Sequence, residues 1–444
     1  MLDLCMAQAD DGWMSSVAPS PHGQDRPDRR GAFRLLFFAL LAVGAGNTML
    51  VSAILPPLVR DLGLPDWMAG AIFSLSAAMW AICSSFWGRK SNEWGRRRVA
   101  ALGMLGFSVS MLLFGTFAAL AMAGYIKSAL VVFVCLLCSR TLFGLVGSGT
   151  NPAAQAYVAD RTRREDRTSE IASLTSGFSF GAVAGPAFAA AAGAVFGLLT
   201  PVFMISAAAA LMSFLILTRL PEHTPPKREA GLKRGEKREG DGLWRDSRVL
   251  PFLIFAILLS IVTGVLMQTF AFAIMDKVGV DGAEAMQFTG PAYTVGATGT
   301  LISQLVLIPR LKMTNRTLMI WGALSLSFGA FLIVPTNEFA VLVLAQFFVG
   351  IGQGLARPGF SSGASLAVGS SLQGNVAGLV ISANGMGFIV SPFFGPWMYE
   401  NVHPFAPFIG AGVMLIFMAV FARLVFPANQ VMEEDPEDPP DLYD

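Results

Sequence analysis

The chain has 444 residues, of which 54% are hydrophobic and only 14% charged, where a soluble domain carries roughly 25% charged residues. With a mean hydropathy of +0.59, a chain of this length cannot keep a wetted surface, which excludes the soluble-enzyme classes. The 31 Lys and Arg against 30 Asp and Glu leave a net charge of +1, so charge makes no case for nucleic acid as a partner.

Residues 1–32 are polar and carry no short apolar core with a small-residue cleavage site, so they read as a cytoplasmic tail. Twelve apolar runs follow, at 33–58, 68–87, 98–123, 128–158, 169–197, 201–218, 250–276, 284–308, 317–335, 339–368, 374–399 and 404–426. Each is long enough to cross a bilayer as a helix. The expected fold is an all-α integral membrane protein of twelve transmembrane helices. Residues 33–218 form one six-helix half and residues 250–426 the other. The segment 219–249 contains PPKREAGLKRGEKREG, has no apolar period and reads as a solvated basic linker. Residues 427–444 make an acidic tail. Alternate connections carry the basic clusters (Arg89 to Arg98, Arg161 to Arg167, Arg310 to Arg316), while the others carry Arg60, Lys127 and Lys277. The positive-inside rule then predicts a multi-pass inner-membrane protein with both termini cytoplasmic.

Between spans two and three stands FWGRKSNEWGRRRV. Gly88 and Gly95 are expected to permit a tight reversal there, and the arginines to hold it in the cytoplasm. Gly88, Gly95, Arg96 and Arg97 resemble the loop signature G-x-x-x-D-R-x-G-R-R of the major facilitator superfamily. Asn92 stands where that signature has Asp, and Glu93 where it has a basic residue. The resemblance implies that this loop latches the two halves, here without the usual charge at Asn92. Span four reads RTLFGLVGSG from Arg140, similar to the family's second signature. Span five reads GFSFGAVAGP, similar to the signature of its exporters. Gly177, Gly181 and Gly185 recur every fourth residue, which makes one smooth helix face for a close neighbour, and Pro186 removes a backbone hydrogen bond. These segments, with AYVADRTRREDR after span four, most resemble the drug–proton antiporter group that includes tetracycline exporters.

The second half repeats the first. Arg140, Gly144 and Pro152 have the spacing of Gln346, Gly350 and Pro358, while Gly181 and Gly185–Pro186 have that of Gly387 and Ser391–Pro392, all at an offset of 206. No Asp or Glu falls near the middle of a span, so proton coupling is implied by the resemblance alone. Arg140 falls near mid-membrane and Arg357 deeper along span ten, where a buried Arg is costly and must face the bundle or a wet cavity. Asn47, Gln268, Tyr293, Gln346 and Asn384 complete the expected substrate-binding set, with Met49, Phe178 and Phe180 among the apolar lining. Cys135 and Cys138 sit in an apolar helix and read as packing. The three histidines lie outside the spans, so no metal site is expected.

The expected function is transport by alternating access, and in particular proton-coupled export of small amphipathic compounds. The expected partners are a small-molecule substrate and the lipid bilayer, the expected state is monomeric, and no cofactor is expected beyond the proton gradient. No G-x-x-x-x-G-K-[ST] loop points to ATP. Two other readings stay open: an organic-anion carrier using Arg140 and Arg357, and a transport-inactive sensor with the same fold.

Overall fold

A computed structural model describes residues 27–162, 167–221, 242–280, 282–369 and 372–426. Most of both tails and most of the expected linker therefore lie outside the described residues. Among the described residues, twelve helices are long and apolar enough to span a membrane. In chain order they are α1 Gly31–Asp61, α2 Asp66–Trp94, α3 Arg96–Met122, α4 Ala129–Ala159, α5 Ser173–Phe196, α6 Thr200–Arg219, α7 Leu250–Gly279, α8 Glu284–Leu311, α9 Asn315–Ile333, α10 Phe339–Leu366, α11 Asn375–Asn401 and α12 Ala406–Val425. The most apolar stretch is 67% buried in α1 and 61% in α7, but only 28% in α2 and 22% in α8. α1 and α7 therefore run through the centre, and the others present one face outward.

The largest departure from the expected spans is α2, which continues seven residues past 87. GRKSNEW contains no proline, so the helix persists after it leaves the apolar stretch. The reversal falls on Gly95 alone, at φ +93°, a conformation that costs glycine little. Gly88 is not part of the turn: it lies inside α2, and a Cβ there would sit 3.7 Å from Pro152 of α4. Gly197, at φ +94°, makes the equivalent break between α5 and α6.

Helix contacts recur between the first six and the last six helices. A Cβ on Gly181 would meet Ala45 of α1 at 2.8 Å, and a Cβ on Gly387 would meet Ile261 of α7, also at 2.8 Å. One contact keeps its place with the partners exchanged. Gly185 packs on the Thr48 hydroxyl, whereas Ser391 brings its hydroxyl against Gly264. Likewise the Ser76 hydroxyl donates to the Arg140 carbonyl at 2.9 Å, and Gly296 packs on the Gln346 carbonyl. α2 and α4 approach so closely at Gly144 that a Cβ would meet the Ser76 carbonyl at 2.5 Å. Small residues and backbone carbonyls set these separations, as expected where lipid removes the hydrophobic drive between helices.

Candidate functional site

Arg140 is the buried centre of the first six helices. It is 0% exposed, held on α4 two turns before the short 3-10 segment Gly147–Gly149. One amine, Nη2, donates to the Asn47 Oδ1 of α1 at 2.7 Å. The guanidinium lies over two rings, Phe73 of α2 at 5.2 Å and Phe143 at 4.8 Å. Nε and Nη1 are buried without a hydrogen-bond partner. The structure thus brings Arg140 and Asn47 together and leaves the cation beside a neutral amide and two aromatic faces.

The other expected substrate residues distribute along the last six helices. Asn384 Oδ1 accepts from the Ser260 hydroxyl at 2.8 Å, joining α11 to α7. The Tyr293 hydroxyl of α8 donates to the Met267 carbonyl at 2.7 Å, next to Gln268, which is buried with its Oε1 unpartnered. Gln346 is 4% exposed. Arg357 is exposed. On α10, Gly354 packs against α8, Gly363 against α7, and Gly352 and Gly359 against α9. Helical geometry puts Arg357 on the side away from α9, between the α7 and α8 contacts. Gln346 and Gln353 share that side, at eleven and four residues before it. Met49, expected in an adaptable lining, is fully buried, while Phe178 and Phe180 are exposed as lining residues can be.

The loop signature makes contacts within the first six helices. Arg96 donates through Nε to Asp160 at 3.1 Å and through Nη1 to Ser91, and Arg97 to the Leu220 carbonyl at 3.4 Å. Glu93 pairs with Lys90 one turn earlier at 2.7 Å, and Asn92 is exposed. The three glycines of α5 all face α1: Gly177 meets Phe37, Gly181 meets Leu41, and Gly185 meets Ala45, while Pro186 is buried beside Gly290 of α8.

A cluster that the sequence reading missed lies at the opposite end. Arg60 donates through Nε and Nη2 to Asp66 at 3.0 and 2.7 Å. It also donates through Nη1 and Nη2 to Asp276 at 2.5 and 3.2 Å. The Tyr399 hydroxyl donates to Asp276 at 2.6 Å, and the Arg60 guanidinium lies 5.0 Å from the Phe272 ring centroid. Asp66 begins α2 in the same set of six, whereas Asp276 and Tyr399 belong to the other set. Nearby, the Trp67 amide donates to Glu400 of α11 at 3.0 Å, and Trp67 packs edge-on to Phe393. Arg60 and Asp276 stand 216 residues apart, as do the α1 and α7 residues contacted by Gly181 and Gly387. That shared offset places opposite charges at matching span ends, a match that emerges only once the helices are paired in space.

A model of the Major Facilitator Superfamily matches residues 36–336 and 292–441. The chain is 24% identical over 388 residues to Multidrug resistance protein 2 of Bacillus subtilis (strain 168), covering 86% of this chain and 90% of that protein. It is 25% identical over 407 residues to Multidrug resistance protein MdtG of Enterobacter lignolyticus (strain SCF1), covering 87% and 92%. Among solved structures, a bacterial homolog to the human lysosomal transporter Spinster, in an inward-facing and occupied conformation, superposes with a TM-score of 0.69. Identity there is 15%, and coverage is 93% of this chain and 100% of that one.

Proposed function

The chain belongs to the Major Facilitator Superfamily, and from that premise we propose that this membrane transporter exports small amphipathic compounds by alternating access, driven by the proton gradient. Both termini face the cytoplasm of the cell whose inner membrane holds it, and residues 33–218 and 250–426 move as two halves. The observation that carries alternating access is the uneven packing along α11. At the Arg60 end a Cβ on Gly70 of α2 would meet Phe393 Cα at 2.7 Å, whereas among the described residues a Cβ on Gly378 or Gly385, farther along α11, would meet nothing within 4 Å. A helix tightly packed at one end and open toward the other suits a carrier that opens one end at a time. Export and the breadth of substrate rest on the two relatives named as multidrug resistance proteins. Proton coupling rests on the signature of α5.

The test is reconstitution of the purified protein in liposomes carrying a pH-sensitive dye and an imposed proton gradient. Addition of a transported compound is expected to produce a proton flux opposite to the compound's own movement, abolished by a protonophore. Compound movement without proton flux would leave a transporter and remove the antiport. A protein that moves no compound under gradient or counterflow conditions would favour the sensor reading.

A further inference from the structure

We infer that the substrate carries a carboxylate: the transported compounds are amphipathic organic anions, received first at Arg357 and seated finally at Arg140. This rests on the transporter reading above and specifies its substrate class.

Arg140 carries five N–H donors. Among the described partners one of its nitrogens meets Asn47, and Nε and Nη1 meet none. The two aromatic faces beside it attract the charge without neutralising it. A fully enclosed guanidinium is ordinarily matched by a carboxylate, because an uncompensated buried charge is strongly unfavourable. Among the described residues no such carboxylate exists inside the spans. The acidic residues of α1, α2, α7, α8 and α11 sit at helix ends: Asp61, Asp66, Glu93, Asp276, Glu284 and Glu400. The protein therefore holds a desolvated cation with donors to spare, and an incoming carboxylate supplies what the fold omits. Arg, with planar and directed donors, suits that partner better than Lys does.

Arg357 gives this site an approach. It is exposed on the side of α10 between the α7 and α8 contacts, and both of those helices also meet the first six, α7 through Asp276 and α8 through Gly290. Two turns earlier the same side meets Gly296 of α8, so Arg357 stands beside α8. Gln346, which corresponds to Arg140 in the repeat, lies eleven residues earlier on α10, so Arg357 stands about 16 Å nearer the Gly95 end. Two like charges, one with accessible surface and one enclosed, set a potential that draws anions inward and repels cations. The amides of Gln346 and Gln353 on the same side offer neutral donors along the way.

The experiment uses the full-length protein in detergent and in liposomes, with two fluorescent xanthene dyes. One, of the fluorescein type, carries a free carboxylate and is anionic; the other, a rhodamine ester, shares the ring skeleton, has no free carboxylate and is cationic. Fluorescence anisotropy is expected to show at least tenfold tighter binding of the anion. Arg140→Gln should remove that preference, weakening anion binding at least tenfold more than cation binding. Arg357→Gln should slow anion association and flatten its dependence on salt, with a smaller loss of affinity. Because Arg357 is exposed, that variant tests the idea even if Arg140→Gln fails to fold by gel filtration. Tighter binding of the cation in the unaltered protein, or equal loss of both dyes in Arg140→Gln, overturns the inference. Liposome counterflow separates this from the transporter reading. Anion binding without movement upholds the site and removes transport, whereas movement of the cation alone upholds transport and removes the site.

Discussion

Gly181 shows how much depends on a single missing side chain. A Cβ there would press into the Leu41 carbonyl and reach Ala45 N at 2.8 Å, so both obstacles are backbone and cannot rotate away. Gly181→Leu is expected to lower the melting temperature in detergent, with overpacking costing ~1–3 kcal/mol or more, and to stop transport at normal expression. Normal melting and normal transport would show that α1 and α5 can separate. This contact was legible in the sequence because glycines at every fourth position share a face whatever the neighbour is. The neighbour itself was not legible. Gly88 illustrates the opposite failure. It matches a loop signature, yet the signature records spacing and says nothing of where a helix stops. Lys90, Ser91, Asn92 and Glu93 all tolerate a helix, so α2 ends only at Gly95.

At the scale of elements, the tips of α1, α2, α7 and α11 converge on Arg60, which has one partner on its own side and one across the divide. Asp66 holds Arg60 within the first six helices, and Asp276 fastens it to the last six. The two acids compete for one guanidinium, so their removal should have opposite effects. Asp276→Asn leaves Arg60 with Asp66 and should part the Arg60 ends. Asp66→Asn commits the cation to Asp276 and should hold them together. These side chains are partly exposed (22% for Arg60, 43% for Asp276), so water screens the pair. Each shift should be ~1 kcal/mol, about fivefold in the ratio of states. Distances between spin labels at the Arg60-end tips of α2 and α8 would read the sign directly, and two shifts of the same sign would rule out competition. In the sequence, charges at span ends read as topogenic. Only the three-dimensional meeting of positions 60 and 276 reveals a fastening.

For the whole molecule, the twelve spans and the repeat could be read from the chain because membrane crossing and duplication leave marks in composition and spacing. The choice of which end is closed could not, since under the proposed alternating access one sequence serves both arrangements. On that proposal Gly378 and Gly385 of α11 serve the second arrangement. In the present one they line open space, and Ala77, Ala81, Ser85 and Gly88 continue the side of α2 that Gly70 presses on α11. Glycine in a helix interior gives up roughly 0.8–1 kcal/mol relative to alanine, and no contact from the described residues at these two positions accounts for that sacrifice. If α2 swings onto this face when the Arg60 end opens, the glycines are needed then, to let two backbones meet. Gly378→Ala and Gly385→Ala together should therefore stabilise the present arrangement, raising the melting temperature by a few degrees, while slowing transport at least several-fold. Cysteines placed on α2 at Ala81 and on α11 at Ser382 should cross-link during turnover in the unaltered protein and cease to do so in the double variant. A higher melting temperature with undiminished transport would mean that this face stays open throughout the cycle, and that the closing movement passes through α5 and α8 instead.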